Sequence, residues 1–288
     1  MRRTARLTGC VKLHEYTITV PTECTPVSLF PFACVHIDNP GHSASHWQAF
    51  LEEWERTKHG YGLGMGDYHD WLRTHARMFL NRYDDDEHSF DELDKYRHAE
   101  SKKFARHLEA VQDRLIGMHV GNHHHQYQDG SNDTMELCRL LDVDYLEHTA
   151  LTRLRFCKPG RTPFKTLTML SLHGEGIGGG STAGGDINAM INKGTAWDVD
   201  MVFMAHNHQK NAAQTVHLTV PMRGALKLIE RPRLFVRCGC HVKGYVPGCH
   251  TYAEKNLMKP TAIGHVRVDI LFHKDHGETV RHEFKVTH

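Results

Sequence analysis

The 288-residue sequence contains no apolar run of about 18 residues, the length a membrane-crossing helix needs, so no membrane span is expected. It has no excess of either charge. Its 35 Lys and Arg stand against 34 Asp and Glu, which excludes a surface built mainly to coat polyanions but leaves room for a local phosphate site. Arg2 and Arg3 open the chain, yet no apolar core follows before Lys12, His14 and Glu15, so a secretory signal is not expected. Eight cysteines are too sparse for a disulfide scaffold, and without an export signal reduced thiols in a cytoplasm are expected. No internal repeat or long low-complexity linker divides the chain. One domain over residues 1–288 is expected, with an N-terminal arm or edge strand over 1–26, a ligand-bearing core over 27–210 and a β-rich completion over 211–288. What is abundant is histidine, at 26 residues. Most of these, His46, His59, His88 and His217 among them, sit in polar contexts without a partner motif and read as surface residues. Spacing has to identify ligands, because number does not.

Apolar runs of buried-strand length occur at 27–35, 61–65, 115–120, 164–172 and 199–205. Between them, Trp47, Phe50, Leu51 and Trp54 recur at helical spacing, with Ser43 or Ser45 available as a cap. Further helices are expected within 71–115, over 134–141 and near 187–193, with the acidic run from Asp84 to Glu87 as a solvated turn. From Thr215 onward, short alternating runs separated by Pro and Gly read as strands. Strands alternating with helices imply an α/β core, and ligands in such folds collect beyond the carboxyl ends of the strands.

Each of the five apolar runs ends in residues able to bind a metal: Cys34-Val35-His36, Gly66-Asp67-Tyr68-His69-Asp70, Gly121-Asn122-His123, His173-Gly174 and His206-Asn207-His208. Imidazole, carboxylate and amide oxygen are ligands for borderline and hard divalent ions. One carboxylate between two histidine-rich sets is what a two-metal site requires, with ions roughly 3.5–4 Å apart. His206 and His208, at i and i+2, share one face of an extended strand.

In this order and spacing, from about Ser28 to Gln209, the sequence resembles the calcineurin-like metallophosphoesterases, whose blocks read D-x-H, GD-x-x-D, GNH followed by an acid, H, and GHxH. The stretch with Gly244-Tyr245, Tyr252-Ala253-Glu254-Lys255 and Pro260 also looks like the phage- and prophage-encoded branch. The resemblance implies a two-sheet α/β/β/α sandwich with a β-rich C-terminal third. It implies a phosphoester hydrolase in which water attacks phosphorus at a centre of two divalent ions, Mn, Zn or Fe. His36 and His208 would hold the first ion with a ligand from position 34, Asp67 would bridge, and Asn122, His173 and His206 would complete the second. Asp67 and His123 would be the catalytic pair, His123 touching substrate or protonating the leaving oxygen, and Asp70 would orient a histidine.

The sequence departs from that pattern in three places. Cys34 stands where the family has Asp: a thiolate could ligate and would favour Zn or Fe, Asp38 could supply the missing carboxylate, or the first site could be weak or lost. His124 replaces the acid after GNH, and Ala205 replaces the Gly of GHxH. The glycine-rich stretch from Gly174 to Gly185 lacks the lysine of a P-loop and reads as a loop over the site. Cys238, Cys240, His241, Cys249 and His250 are spaced too tightly for an ordinary zinc finger and read mainly as turn residues. His124, Arg153 and Arg155 are candidate contacts to a polyanionic substrate, a nucleic-acid strand or a nucleotide. The run Arg153, Arg155, Lys158, Arg161 and Lys165, together with the phage-like look, favours a phosphodiester, although a solvated face is the commoner role of such a run. The expected location is a cytoplasm, that of the host if the chain is phage-encoded. Two other readings stay open: a phosphomonoesterase with the same centre, and a non-catalytic metal-binding scaffold that has lost the first site.

Overall fold

The computed structural model describes residues 1–8, 11–70, 87–174, 184–221, 226–274 and 280–288. In chain order the strands are β1 (Arg2–Thr8), β2 (Val11–Thr19), β3 (Val27–Phe32), β4 (Gly60–Gly64), β5 (Leu115–His119), β6 (Asp144–Glu147), β7 (Thr149–Cys157), β8 (Pro163–Leu172), β9 (Met201–Met204), β10 (Lys210–Thr219), β11 (Ile229–Cys240), β12 (Gly264–His265), β13 (Arg267–His273) and β14 (Arg281–Thr287). The helices are α1 (Ala44–Arg56), α2 (Glu87–Leu108), α3 (Asp133–Leu140), α4 (Gly185–Gly194) and the single turn α5 (Tyr252–Lys255). The expected acidic turn and the glycine-rich loop fall largely on residues 71–86 and 175–183, outside the described residues.

The strands form two sheets. One has the order β14-β13-β3-β4-β5-β6, the other β1-β2-β7-β8-β9-β11-β10 with β12 paired to β11. From β3 to β6 the first sheet is parallel, and β9 lies parallel between β8 and β11 in the second. Alternation along the strands separates three apolar clusters. Tyr16, Leu154, Met169, Phe203 and Val236 of the second sheet meet Val27, Leu29, Leu63, Ile116 and Val268 of the first, filling the space between the sheets. On the outer face of the first sheet, Trp47, Phe50 and Trp54 of α1, Phe104 and Leu108 of α2 and Leu137 of α3 cover Phe30, Phe32, Leu115 and Met118. On the other outer face, Ile187 and Met190 of α4 cover Leu170, Val202 and Phe235. This is the α/β/β/α layering expected, and burying each such side chain contributes about 1.5–3 kcal/mol.

Why α1 lies where it does is visible in β4, which reads Gly-Tyr-Gly-Leu-Gly. Tyr61 and Leu63 point between the sheets, so the glycines line the outer face as a trough. Trp54 lies in it, stacked on Phe30 at 6.3 Å between ring centroids, its indole N–H donating to the Gly60 carbonyl at 3.1 Å. Ser43 is the N-cap residue of α1, but its hydroxyl lies 2.8 Å from the His46 ring rather than on a backbone amide. The N-terminal segment expected as an arm or edge strand is more than that: β2 sits inside the second sheet, paired with β1 on one side and β7 on the other.

A methyl group at Gly62 would run into the Trp54 ring. Gly62→Ala is therefore expected to cost about 1–3 kcal/mol by overpacking, read as a lower urea midpoint with an unchanged m-value.

Candidate metal centre

The ends of β3, β4, β5, β8 and β9 converge at one edge of the two sheets, and the loops that leave them carry the five sequence blocks. The loops after β3 and β4 are zipped by their backbones. Cys34, His36 and Ile37 donate N–H groups to the carbonyls of Gly66, Asp67 and Tyr68 at 3.0, 3.1 and 3.0 Å. Ala205 donates to His173 at 2.9 Å, joining the loops after β8 and β9. Of the eight non-glycine residues with positive φ among the described residues, five are candidate ligands: Cys34 (47°), His36 (42°), Asp67 (58°), His206 (67°) and His208 (59°). Such backbone costs of order 1–3 kcal/mol per residue and persists only where its surroundings over-determine it, a pattern that concentrates at functional sites.

Asp67 is 4% exposed and sits at the middle. Its Oδ2 lies 3.1 Å from His173 Nε2 and 3.9 Å from His36 Nε2, and its Oδ1 accepts the His123 backbone N–H at 3.0 Å. The approach requires two glycines. A Cβ at Gly66 would stand 2.6 Å from His173 Nδ1 and 2.8 Å from the Gly121 Cα, and one at Gly121 would collide with Asp67 itself. Tyr68, given no role by the sequence, locks this contact: its hydroxyl accepts the Gly66 N–H at 3.2 Å and donates to the His119 carbonyl at 2.8 Å.

Two ligand groups flank Asp67, and a third set of donors, His36, Asp70 and His123, adjoins the first. Cys34, His36 and His208 place their ligand atoms within 4.8 Å of one another, as do Asp67, His173 and His206. Asn122 belongs with the latter, its Oδ1 lying 2.9 Å from His173 Nε2 and 3.0 Å from His206 Nδ1. Supporting contacts choose which nitrogen faces inward. His173 Nδ1 donates to the Met65 carbonyl at 2.7 Å, leaving Nε2 for the centre. His36 Nδ1 lies 3.3 Å from Asp70 Oδ1, which leaves Nε2 on the side of Asp67. Imidazole nitrogens, one carboxylate, one amide oxygen and one thiol aimed at a common interior are a donor set that fits divalent ions.

Electrostatics agree with that division. Burial alone would raise the Asp67 carboxyl, but the charge of His173, its hydrogen bond, and the charges of His36 and His123 hold it well below the ordinary range. Burial, aided by His36, pushes His208 down to about 3, so its ring is neutral with a lone pair free to coordinate. For His123 burial would lower the pKa, but the hydrogen bond to Asp70 and the charge of Asp67 raise it to about 9.

Asp70 carries more than the sequence suggested. It contacts both His36 and His123, the latter at 3.1 Å, and so does the orienting work that the missing acid at position 124 would have done. His124 turns its Nδ1 to the Gly121 carbonyl at 2.8 Å. Asp38 turns away from the centre, its Oδ1 accepting the Asp70 N–H at 2.5 Å. Arg153 and Arg155 project from the middle of β7 on the face opposite the core residues Leu154 and Phe156. There they pair with Glu15, away from the strand ends, which does not suit the expected substrate contact. Cys238, Cys240 and His241 are buried while Cys249 and His250 are not, and these five form no ligand group among the described residues. His119 is a bridge between the sheets, its Nε2 2.8 Å from Ser171 Oγ.

No family model matches the chain, and no curated protein does. Among solved structures it is similar to Vps29 from Entamoeba histolytica complexed with zinc, at 12% identity over 90% of this chain and 99% of that one, with a TM-score of 0.37. It is also similar to Vps29 from Chaetomium thermophilum, at 12% identity, 90% and 96% coverage and a TM-score of 0.36. A conserved uncharacterized protein from Streptococcus pneumoniae, described as a predicted phosphoesterase, matches at 11% identity, 91% and 99% coverage and a TM-score of 0.31. At such identities and scores the site has to be judged on its own geometry.

In the metal-free protein the His123 ring is expected to titrate near 9. Its contribution to stability is complete below the unfolded value of about 6.5 and fades as the pH rises through the folded value. Asp70→Asn should bring the titration down toward the ordinary histidine range, followed by NMR of the imidazole; an unmoved midpoint would show that Asp70 does not hold the proton there.

Proposed function

We propose that the chain is a metal-dependent phosphoester hydrolase of the calcineurin-like type, with Cys34, His36 and His208 holding one divalent ion, Asn122, His173 and His206 a second, and Asp67 between them. The observation that carries this reading is Asp67: one buried carboxylate whose Oδ2 lies beside a histidine of each ligand group, on backbone that few sequences adopt without need. When bound, two such ions supply charge neutralisation for phosphoryl oxygens and an activated water.

The protein's own residues do the rest. Asp67 and Asp70 keep His123 protonated at neutral pH, and its side chain is 28% exposed against 2% for Asp67. A protonated imidazole at the mouth of the site can pair with a phosphate oxygen as substrate binds and give up its proton to the departing oxygen. The His123 backbone N–H, held on Asp67 Oδ1, fixes the loop so that the ring cannot drift from that position. His36 and His173 are each held from behind, by Asp70 and by the Met65 carbonyl, which orients the ligand set before any ion arrives.

The preference for a diester drew on the basic run and the phage-like stretch, and the pairing of Arg153 and Arg155 with Glu15 removes two of its supports. Both ester classes are therefore substrates to compare. A reduced thiol at Cys34 suits the cytoplasm. No described helix is long and apolar enough to cross a membrane.

The test is hydrolysis of bis-p-nitrophenyl phosphate beside the monoester by metal-stripped protein refilled with Mn, Zn or Fe. His123→Asn should lower kcat by about 10²–10⁴-fold with ion content unchanged. Asp67→Ala should lose both turnover and ion uptake. Folded wild-type protein that takes up ions and cleaves neither ester would replace the hydrolase with a metal-binding scaffold.

A further inference from the structure

The two halves of the centre are chemically unlike. On the side of Asp67, Asn122, His173 and His206 every available donor is oxygen or nitrogen. On the other side Cys34 is 0% exposed, with its sulfur within 4.8 Å of donor nitrogens of His36 and His208. Its place is set by backbone from two directions: its N–H donates to Gly66 at 3.0 Å and its carbonyl accepts from His241 at 3.1 Å. Burial, with the charge of Asp67, pushes the metal-free Cys34 thiol well up, and the His206 backbone amide opposes this only in part, so an ion has to displace the thiol proton. A cysteine serving only as apolar filler has no need of a left-handed backbone at φ 47°. Asp38 is engaged by the Asp70 amide at 2.5 Å and belongs to no ligand group among the described residues, while Asp70 groups with His36 and His123 rather than with Cys34 and His208.

We propose that Cys34 ligates as a thiolate, so that the first site selects a thiophilic borderline ion such as Zn(II) or Fe(II) while the second accepts harder ions such as Mn(II). The centre is built for two different metals. This rests on the dinuclear reading above and adds the identity of one half. Binding breaks the Cys34 S–H bond and forms a sulfur–metal bond, the proton leaving to solvent, with no change in oxidation state. Thiolate favours Zn and Fe, whereas carboxylate and amide oxygen tolerate Mn.

The experiment is a Co(II) titration of the metal-stripped full chain, followed by absorption and by metal analysis. Two ions per chain are expected, one of them bringing a near-ultraviolet sulfur-to-cobalt charge-transfer band. The band should vanish in Cys34→Ser and Cys34→Asp and persist in Cys249→Ser. Cys34→Asp should also shift the Zn-to-Mn preference toward Mn by at least the roughly 10-fold that even residues supporting a metal ligand command. Two ions without the band overturn the thiolate ligand and leave the dinuclear reading standing. One ion with the band keeps the thiolate and removes the second site, and no ion removes both. Should the variants at position 34 fail to fold, X-ray absorption of the wild-type chain carrying one Zn(II) decides the matter: a sulfur neighbour at about 2.3 Å is expected, and a shell of nitrogen and oxygen alone overturns the proposal.

Discussion

A carboxylate buried at 4% exposure cannot remain charged without compensation, and Asp67 is the point around which this fold is arranged. Its compensation comes from two directions: His173 and His36 on its Oδ2, and the backbone of His123 on its Oδ1. Those partners hang from β3, β5 and β8, which belong to different sheets, so the charge is satisfied only when both sheets stand in register. Gly66 and Gly121 allow the loops to approach closely enough, and Tyr68 clamps them.

The layering was legible because strand length and helical spacing are local properties. The apolar runs at 27–35, 61–65, 115–120, 164–172 and 199–205 contain β3, β4, β5, β8 and β9 or overlap them, and Trp47, Phe50, Leu51 and Trp54 all face the sheet from α1. The ligand blocks were legible for a related reason: each follows a strand, where the chain must turn. Hidden from the sequence were features that depend on pairing across long separations. Arg153 and Arg155 read as a free basic run because nothing in their neighbourhood announces Glu15, which β2 brings alongside from more than a hundred residues away. In the same way the loss of an acid at position 124 looked like a defect, whereas Asp70 reaches His123 from another loop.

Cys34 shows the limit most clearly. From the sequence, three accounts of the first ligand group were equally available. What the structure adds is the sulfur beside His36 and His208, and the Asp38 carboxylate occupied by the Asp70 amide. Neither can be inferred from spacing, since Asp38 lies as near His36 in the chain as Cys34 does.

The backbone zip between residues 34–37 and 66–68 has a consequence for how such a site can change over time. Because main-chain groups, which every amino acid carries, fix the frame, the side chain at position 34 is a replaceable pin in a rigid socket. On the proposed reading, exchanging that pin would alter which ion the socket prefers while the main-chain frame stays in place. A lineage holding this frame could therefore follow a change in the metals its surroundings supply through one substitution at a time, with the fold as spectator.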